Sequence, residues 1–328
     1  MLAADEVKKQ ALALGADLVG IGPIERWDGA PLQMDPRQIM PEAKSVICMA
    51  FRFMRGSLRG IEEGTFFSNY SSMGYGALTH IYMPMVIINL AKFIEDRGYE
   101  AMPIGHLSPW RAIDNEGNLK PFARPVAPGR AVPDVMVHLR IAGYLCGLGE
   151  IGWSKVFLTP RFGPRQRLGI LLTEAEIEPD PVMKPGTLCD RCMACVKDCP
   201  TGAIQQERSV KAKLGGYEVE WNDLDCSLCA VGLRGGVPVA DEEHANYLAQ
   251  SAWRGIRVGR GPHTPWRSKP QNLYETGQAI CGGRGCLRAC MIALERRGVL
   301  ENAFHEKFRR RAPWSVDWDE PDPGGETS

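Results

Sequence analysis

The chain has 328 residues, 44% of them hydrophobic, and balances 39 lysines and arginines against 39 aspartates and glutamates. The even charge excludes a global field that would recruit nucleic acid or a membrane surface. The length excludes a simple ferredoxin and allows one large domain or two ordinary ones.

Residues 4–15 carry apolar positions at helical spacing, and Asp17–Ile21 (DLVGI) reads as a strand. Ser45–Phe51 (SVICMAF) is a second apolar strand, expected to be buried. Leu78–Arg97 is the strongest helix, amphipathic and closed by Gly98. A short strand follows at 101–104, then a proline- and glycine-rich wall built from loops over 103–134. Residues 135–146 have helical or strand potential, Leu168–Thr173 (LGILLT) is a strand, and EPDPVMKPG (178–186) is a linker. Alternation of helix and strand up to about residue 178 predicts an α/β or α+β core. The expected organisation is therefore a core over 1–180, a cysteine-rich module over 181–295, and a C-terminal helix with a flexible acidic tail over 296–328.

The N-terminus (MLAADEVKKQALALGA) has no charged n-region, apolar h-region or twin-arginine pair. No uninterrupted apolar run approaches the ~18 residues of a membrane span. The chain reads as cytoplasmic, where clustered thiols are metal ligands rather than disulfides.

Between Cys189 and Pro200 the chain reads CDRCMACVKDCP, or Cys-x2-Cys-x2-Cys-x3-Cys-Pro. This spacing wraps a [4Fe–4S] cluster: three thiolates on a tight loop reach three irons, and the fourth ligates the other cluster of a pair. Further cysteines must then follow, and Cys226, Cys229, Cys281, Cys286 and Cys290 do. In the two-cluster arrangement Cys189, Cys192, Cys195 and Cys290 hold one cubane, and Cys199, Cys226, Cys281 and Cys286 hold the other. Cys229 is the spare and could take the place of Cys226. A zinc ribbon from Cys189, Cys192, Cys226 and Cys229 would leave the remaining thiols without a purpose. Cys48 and Cys146 sit in apolar runs and read as core residues.

Gly147-Leu-Gly149-Glu-Ile-Gly152 matches G-x-G-x-x-G, but Pro160, Gly163 and Pro164 forbid the crossover helix that a dinucleotide site requires. Glycines beside Ser154, Thr159, Arg165 and Arg167 suit close backbone approach to a large anionic or amide-rich ligand instead.

GLGEIGWSKVFLTPRFGPRQRLGILLT (147–173), a short linker, and CDRCMACVKDCPTGAI (189–204) resemble the cobalamin-dependent iron–sulfur enzymes, the reductive dehalogenases and epoxyqueuosine reductases. The resemblance extends upstream to YGALTHIYMPMVIINLAKFIEDRGYEAMPI (75–104). It implies a nitroreductase-like α/β (α+β) core holding a base-off corrinoid, with a ferredoxin-like module of two [4Fe–4S] clusters beside it. In such enzymes the clusters reduce cobalt to Co(I), a carbon–halogen or carbon–oxygen bond is cleaved reductively, and a protonated side chain supplies the proton. No Asp-x-His-x-x-Gly motif is present, so no protein histidine is expected beneath the cobalt. The loop around Gly147, Gly149 and Gly152, with Ser154, Thr159, Phe162, Gly163 and Arg165, is expected against the corrinoid.

By the same resemblance Tyr75 is the first choice of proton donor, with Tyr70 and Tyr82 as the other tyrosines of that segment. Arg124 and Arg130, in the proline-rich wall, are candidates to hold a leaving halide or lower the tyrosine's pKa. Asp134 sits near the acid of epoxyqueuosine reductases, or serves only as a helix N-cap. The expected function is reductive dehalogenation of a small organohalide, fed by a ferredoxin or flavodoxin-type donor, with no membrane partner. Epoxyqueuosine reduction in tRNA is the alternative enzyme, although the basic run Lys307–Arg311 (KFRRR) reads as a solvated helix end. A non-catalytic electron-transfer protein serving a separate corrinoid enzyme is the third reading.

Overall fold

The structure, a computed structural model, describes residues 2–63, 65–66, 69–105, 124–133, 135–199, 201–226, 228–229 and 285–307. Helix α1 (Ala4–Leu14) leads into strand β1 (Leu18–Pro23), and β2 (Ser45–Arg52) follows after three short 3₁₀ turns. After α2 (Arg59–Glu63), a π-helix over Tyr70–Tyr82 runs directly into α3 (Met83–Glu95) and then β3 (Ala101–Ile104). Helix α4 (Leu139–Leu145) precedes the two-residue strands β4 (Glu150–Ile151) and β5 (Phe157–Leu158), and β6 (Gln166–Thr173) completes the main sheet.

That sheet has the order β1-β2-β6-β3 and is antiparallel throughout. The antiparallel pairing decides between the two expected classes in favour of α+β. Strand β2 is buried along its whole length except Arg52 because both of its faces are covered. Val46, Cys48 and Ala50 pack on one side with α4, Trp27 and Trp221, whereas Ile47, Met49 and Phe51 pack on the other with α1 and α3. Each fully buried side chain of this size contributes about 1.5–3 kcal/mol. Cys48 and Cys146 lie in the first of these layers, as expected for core thiols.

The helix expected from Leu78 begins at Tyr70. Together with α3 it is 26 residues long, and by length and composition it could cross a membrane, unlike the runs read from sequence. Met83, Val86, Ile87, Leu90 and Ile94 nevertheless bury one face of it against the sheet.

The cysteine-rich segment contains α5 (Ala194–Lys197), the hairpin β7 (Ser209–Leu214) and β8 (Tyr217–Asn222), and α6 (Cys286–Arg297). It does not stand apart from the core. Val219 and Trp221 of β8 enter the core layer under α4. Leu287 and Met291 of α6 pack with Phe53, Leu58, Ile61 and Tyr70. Arg288 pairs with Glu62 at 3.4 Å, and Arg55 with Glu295 at 3.1 Å. Helix α6 stops at Arg297, so the helix expected over 296–328 is absent from 298–307; residues 308–328 lie outside those described.

The glycines of the 147–152 loop are explained by packing. An added Cβ on Gly149 would lie 1.9 Å from the Leu158 carbonyl oxygen, and one on Gly147 would lie 2.5 Å from that of Pro181. Gly147 also has φ 78°, in the left-handed region. Gly149→Ala should therefore open the β4–β5 hairpin and cost about 2–4 kcal/mol, measurable as a lowered denaturant midpoint.

Candidate iron–sulfur and proton-transfer site

The loop Cys189–Cys195 is tight because Arg191 and Met193 adopt left-handed conformations, φ 56° and 55°. Such conformations are uncommon for residues other than glycine and gather at functional sites. The turn brings Cys189, Cys192 and Cys195 to one cavity, and α6 supplies Cys290 from the opposite wall. Cys195 is buried and Cys189 and Cys290 half-buried, while Cys192 opens to solvent. Burial first, then the Cys195 and Cys189 thiols, push the Cys290 thiol up, a cost that ligation to iron would relieve. The Trp153 backbone N–H donates to Cys189 Sγ at 3.3 Å, the kind of bond that tunes an iron–sulfur centre. Thiols spread around a cavity wall suit a multi-iron cluster, and this donor set fits one.

Glu150 is a buried carboxylate inside the glycine motif. Its carboxylate is buried and accepts backbone N–H bonds from Gly186 and Leu188 at 2.7 Å each, and a third from Cys189. It thereby fixes the linker at the point where it enters the first ligand. The sequence signal was an acidic residue within a loop expected to approach an anion.

A second thiol group forms from Cys199, Cys229 and Cys286. After burial, Cys229 and Cys199 weigh most on Cys286, and Cys199 and then Cys226 on Cys229. Cys226 is exposed. Among the described residues Cys229, the expected spare, acts on the Cys286 thiol, and Cys226 acts on Cys229. Cys281 lies outside the described residues.

Beside this group stands Arg140 in the first turn of α4, whose N-cap is His138; the His138 Nδ1 accepts from the Ile141 N–H at 3.4 Å. Arg140 is solvent-accessible, and the loss of solvation around it is the main influence lowering its pKa. Arg167 lowers it further, and the Cys229 and Cys286 thiols oppose both. Burial, then Arg140 and Lys155, hold His138 down at about 4.

The π-helix explains the other wall. Five residues of an α-helix turn through roughly 140° beyond a full circle, whereas i→i+5 bonding nearly restores alignment. Tyr70, Tyr75 and His80 consequently share one face. Arg167 of β6 donates from Nη2 to the Tyr70 hydroxyl at 2.7 Å, and its guanidinium lies 4.7 Å from the Tyr75 ring centre. The His80 ring meets Tyr75 edge-on at 5.8 Å. Tyr70 is fully buried, but Tyr75 is half-buried and accessible. Burial raises the Tyr75 pKa while Arg167 opposes the rise, and burial followed by Arg167 lowers that of His80.

Other expected site residues lie elsewhere. Tyr82 donates its hydroxyl to the Gly15 carbonyl at 3.1 Å, at the end of α1, and is not part of the Arg167 group. The Arg130 guanidinium donates to the Gln38 carbonyl at 3.0 Å, and Arg124 is exposed. Asp134 lies outside the described residues, and the N-cap role offered for it belongs to His138. Thr159 bonds Gln166 and the Phe162 N–H, and Arg165 bonds the Phe53 carbonyl and Asn302. Phe162 is fully buried, Gly163 bridges Thr159, and Ser154 lines the Cys189 cavity. Most polar groups of the 147–165 segment are thus bonded within the protein, but the Arg165 Nε, like the Arg167 Nε, is buried without a hydrogen-bond partner among the described residues and could serve a large amide- or phosphate-bearing ligand, as could the accessible Arg140. Sequence reading missed Arg140, His80 and Glu150.

Residues 187–205, which carry three of the four thiols of the Cys189 cavity, match the 4Fe-4S binding domain family. The chain is 26% identical over 308 residues to a tetrachloroethene reductive dehalogenase of Dehalobacter restrictus, covering 77% of this chain and 48% of that protein. It is 24% identical over 267 residues to an epoxyqueuosine reductase of Synechococcus sp. (strain RCC307), covering 73% of each. The chain spans about half the length, or less, of the dehalogenases it matches. A solved B12-dependent reductive dehalogenase superposes with TM-score 0.47 at 20% identity, over 78% of this chain and 34% of that one. These relatives support the superfamily resemblance read from the sequence, and both named kinds are oxidoreductases.

Proposed function

We propose that this chain is a cytoplasmic, corrinoid- and [4Fe–4S]-dependent reductase that removes halogen from a small organic substrate. Electrons come from a ferredoxin- or flavodoxin-type donor. The observation that carries this reading is the Arg167 guanidinium, held by the Tyr70 hydroxyl at 2.7 Å and 4.7 Å from the ring centre of the accessible Tyr75, in a chain whose Cys189, Cys192, Cys195 and Cys290 share one cavity. Such a phenol could supply the proton that the reductive step needs.

Bound beside these residues, the corrinoid would supply the low-potential electrons for carbon–halogen cleavage. The Arg167 Nε and Arg140 would hold its polar groups. Burial keeps the Tyr75 hydroxyl protonated, and the nearby Arg167 guanidinium stabilises the phenolate left when that proton passes to the substrate carbon. Tyr70 holds Arg167 in place by accepting its hydrogen bond.

The Synechococcus relative, aligned over 73% of both chains, keeps epoxyqueuosine reduction as the second reading, with Asp134 as its acid. Cofactor-loaded protein with a reduced artificial donor should release halide from a panel of haloalkenes and halophenols. Queuosine formation in an epoxyqueuosine-bearing tRNA stem-loop without halide release would favour the second reading. Neither activity, with corrinoid bound, would leave an electron carrier.

A further inference from the structure

Trp153 stands where the two thiol groups meet. With Cys195 and Ile204 it forms one buried apolar wall, and Cys189, Cys199 and Cys286 pack against that wall. Cys189 and Cys195 belong to the first group, Cys199 and Cys286 to the second. Trp153 also lines the cavity of the first group, and it is only 6% exposed. Its backbone N–H donates to Cys189 Sγ at 3.3 Å, and its carbonyl accepts from the Asn222 N–H at 2.9 Å. The indole is pinned as well. Its Nε1–H donates to the Gln205 carbonyl at 3.1 Å, and the Arg191 guanidinium lies 5.4 Å from the ring centre. The bond to Cys189 comes from the backbone and would survive any side chain. What the indole adds is bulk, in space that water would otherwise fill.

We propose that the Trp153 indole, with Ile204, keeps water from the facing sides of the clusters and thereby holds their reduction potentials low. The inference rests on the iron–sulfur reading above and deepens it. A [4Fe–4S] centre on four thiolates gains negative charge when it takes up one electron, and water stabilises the more charged form. A dry apolar wall withholds that stabilisation, so the reduced cluster is the stronger reductant. A one-electron donor reduces the cluster, which is reoxidised when it passes the electron on. Trp153 acts on that delivery and needs no contact with substrate.

The test is redox titration followed by electron spin resonance on anaerobically reconstituted full-length protein, with iron counted first. Trp153→Ala leaves the backbone N–H and removes only the indole. It should make at least one cluster about tenfold easier to reduce, ~59 mV more positive for one electron. In deuterated water the reduced-cluster signal should gain deuterium modulation, since water then reaches the sulfurs. Trp153→Phe, which keeps an apolar ring, should stay near the parent potential. Ile204→Thr keeps the β-branch but places a hydroxyl in the same wall, and should shift the potential in the direction of Trp153→Ala. Intact clusters whose potentials ignore both Trp153→Ala and Ile204→Thr would overturn the proposal while leaving the iron–sulfur reading standing. If Trp153→Ala loses iron, Ile204→Thr decides alone, and an unmoved potential there overturns it. A parent protein without iron would sink the iron–sulfur reading and the proposal with it.

Discussion

Tyr75→Phe should lower turnover with a reduced artificial donor by about 100- to 10,000-fold, the loss expected when a positioned general acid is removed. Only the hydroxyl is deleted, so iron and corrinoid content should not change. The structure ranks the control tyrosines. Tyr82, whose hydroxyl donates to the Gly15 carbonyl on another side of the core, should tolerate Phe with little effect. Tyr70→Phe should fall between them. Its hydroxyl is buried away from substrate, but losing it frees the Arg167 guanidinium that steadies Tyr75. Full activity of Tyr75→Phe with loss in Tyr70→Phe would transfer the proton to the buried hydroxyl. Full activity of all three would make Asp134 the acid to test and bring epoxide reduction forward.

Cys195→Ala should remove one cluster, halving iron from roughly eight to roughly four atoms per chain and abolishing electron delivery. Cys195 is buried between Trp153 and Ile204, so no exposed thiol can replace it without moving the loop. The second site separates the sequence expectation from the geometry. With Cys226 as ligand, Cys229→Ala would keep both clusters. Cys229 is half-buried and acts on the Cys286 thiol, whereas Cys226 is exposed, so Cys229→Ala should lose the second cluster and Cys226→Ala should keep it. Iron analysis with reduced-state spin quantitation reads both.

Elements whose burial is one-sided or complete in the sequence were legible. Ser45–Phe51 and Leu168–Thr173 became the central pair β2 and β6, and the 4–15 periodicity became α1. The segment Tyr70–Ala77 was not read as helix because two glycines and two serines give no α-periodicity, and π-winding changes which residues share a face. For that reason the sequence could put Tyr75 ahead of Tyr70 and Tyr82 only by resemblance, whereas the winding groups Tyr70 with Tyr75 and leaves Tyr82 apart. The cysteine spacing grouped Cys189, Cys192 and Cys195, which the structure brings to one cavity because they lie on one turn. It could not choose between Cys226 and Cys229, because that depends on how α6 docks against the loop. The glycine motif suggested a ligand, but Gly147 and Gly149 face the protein's own Pro181 and Leu158 carbonyls. Glu150 escaped notice because a charge inside a hairpin looks ordinary until its burial is known.

The most direct test is metal analysis of protein expressed and purified anaerobically with hydroxocobalamin supplied. The two-cluster corrinoid reading predicts roughly eight irons and about one cobalt per chain, no stoichiometric zinc, and a Co(II) spin resonance signal without nitrogen hyperfine splitting from a lower axial ligand. Zinc in place of iron, or a cobalt-free protein that binds NADH tightly, would contradict it.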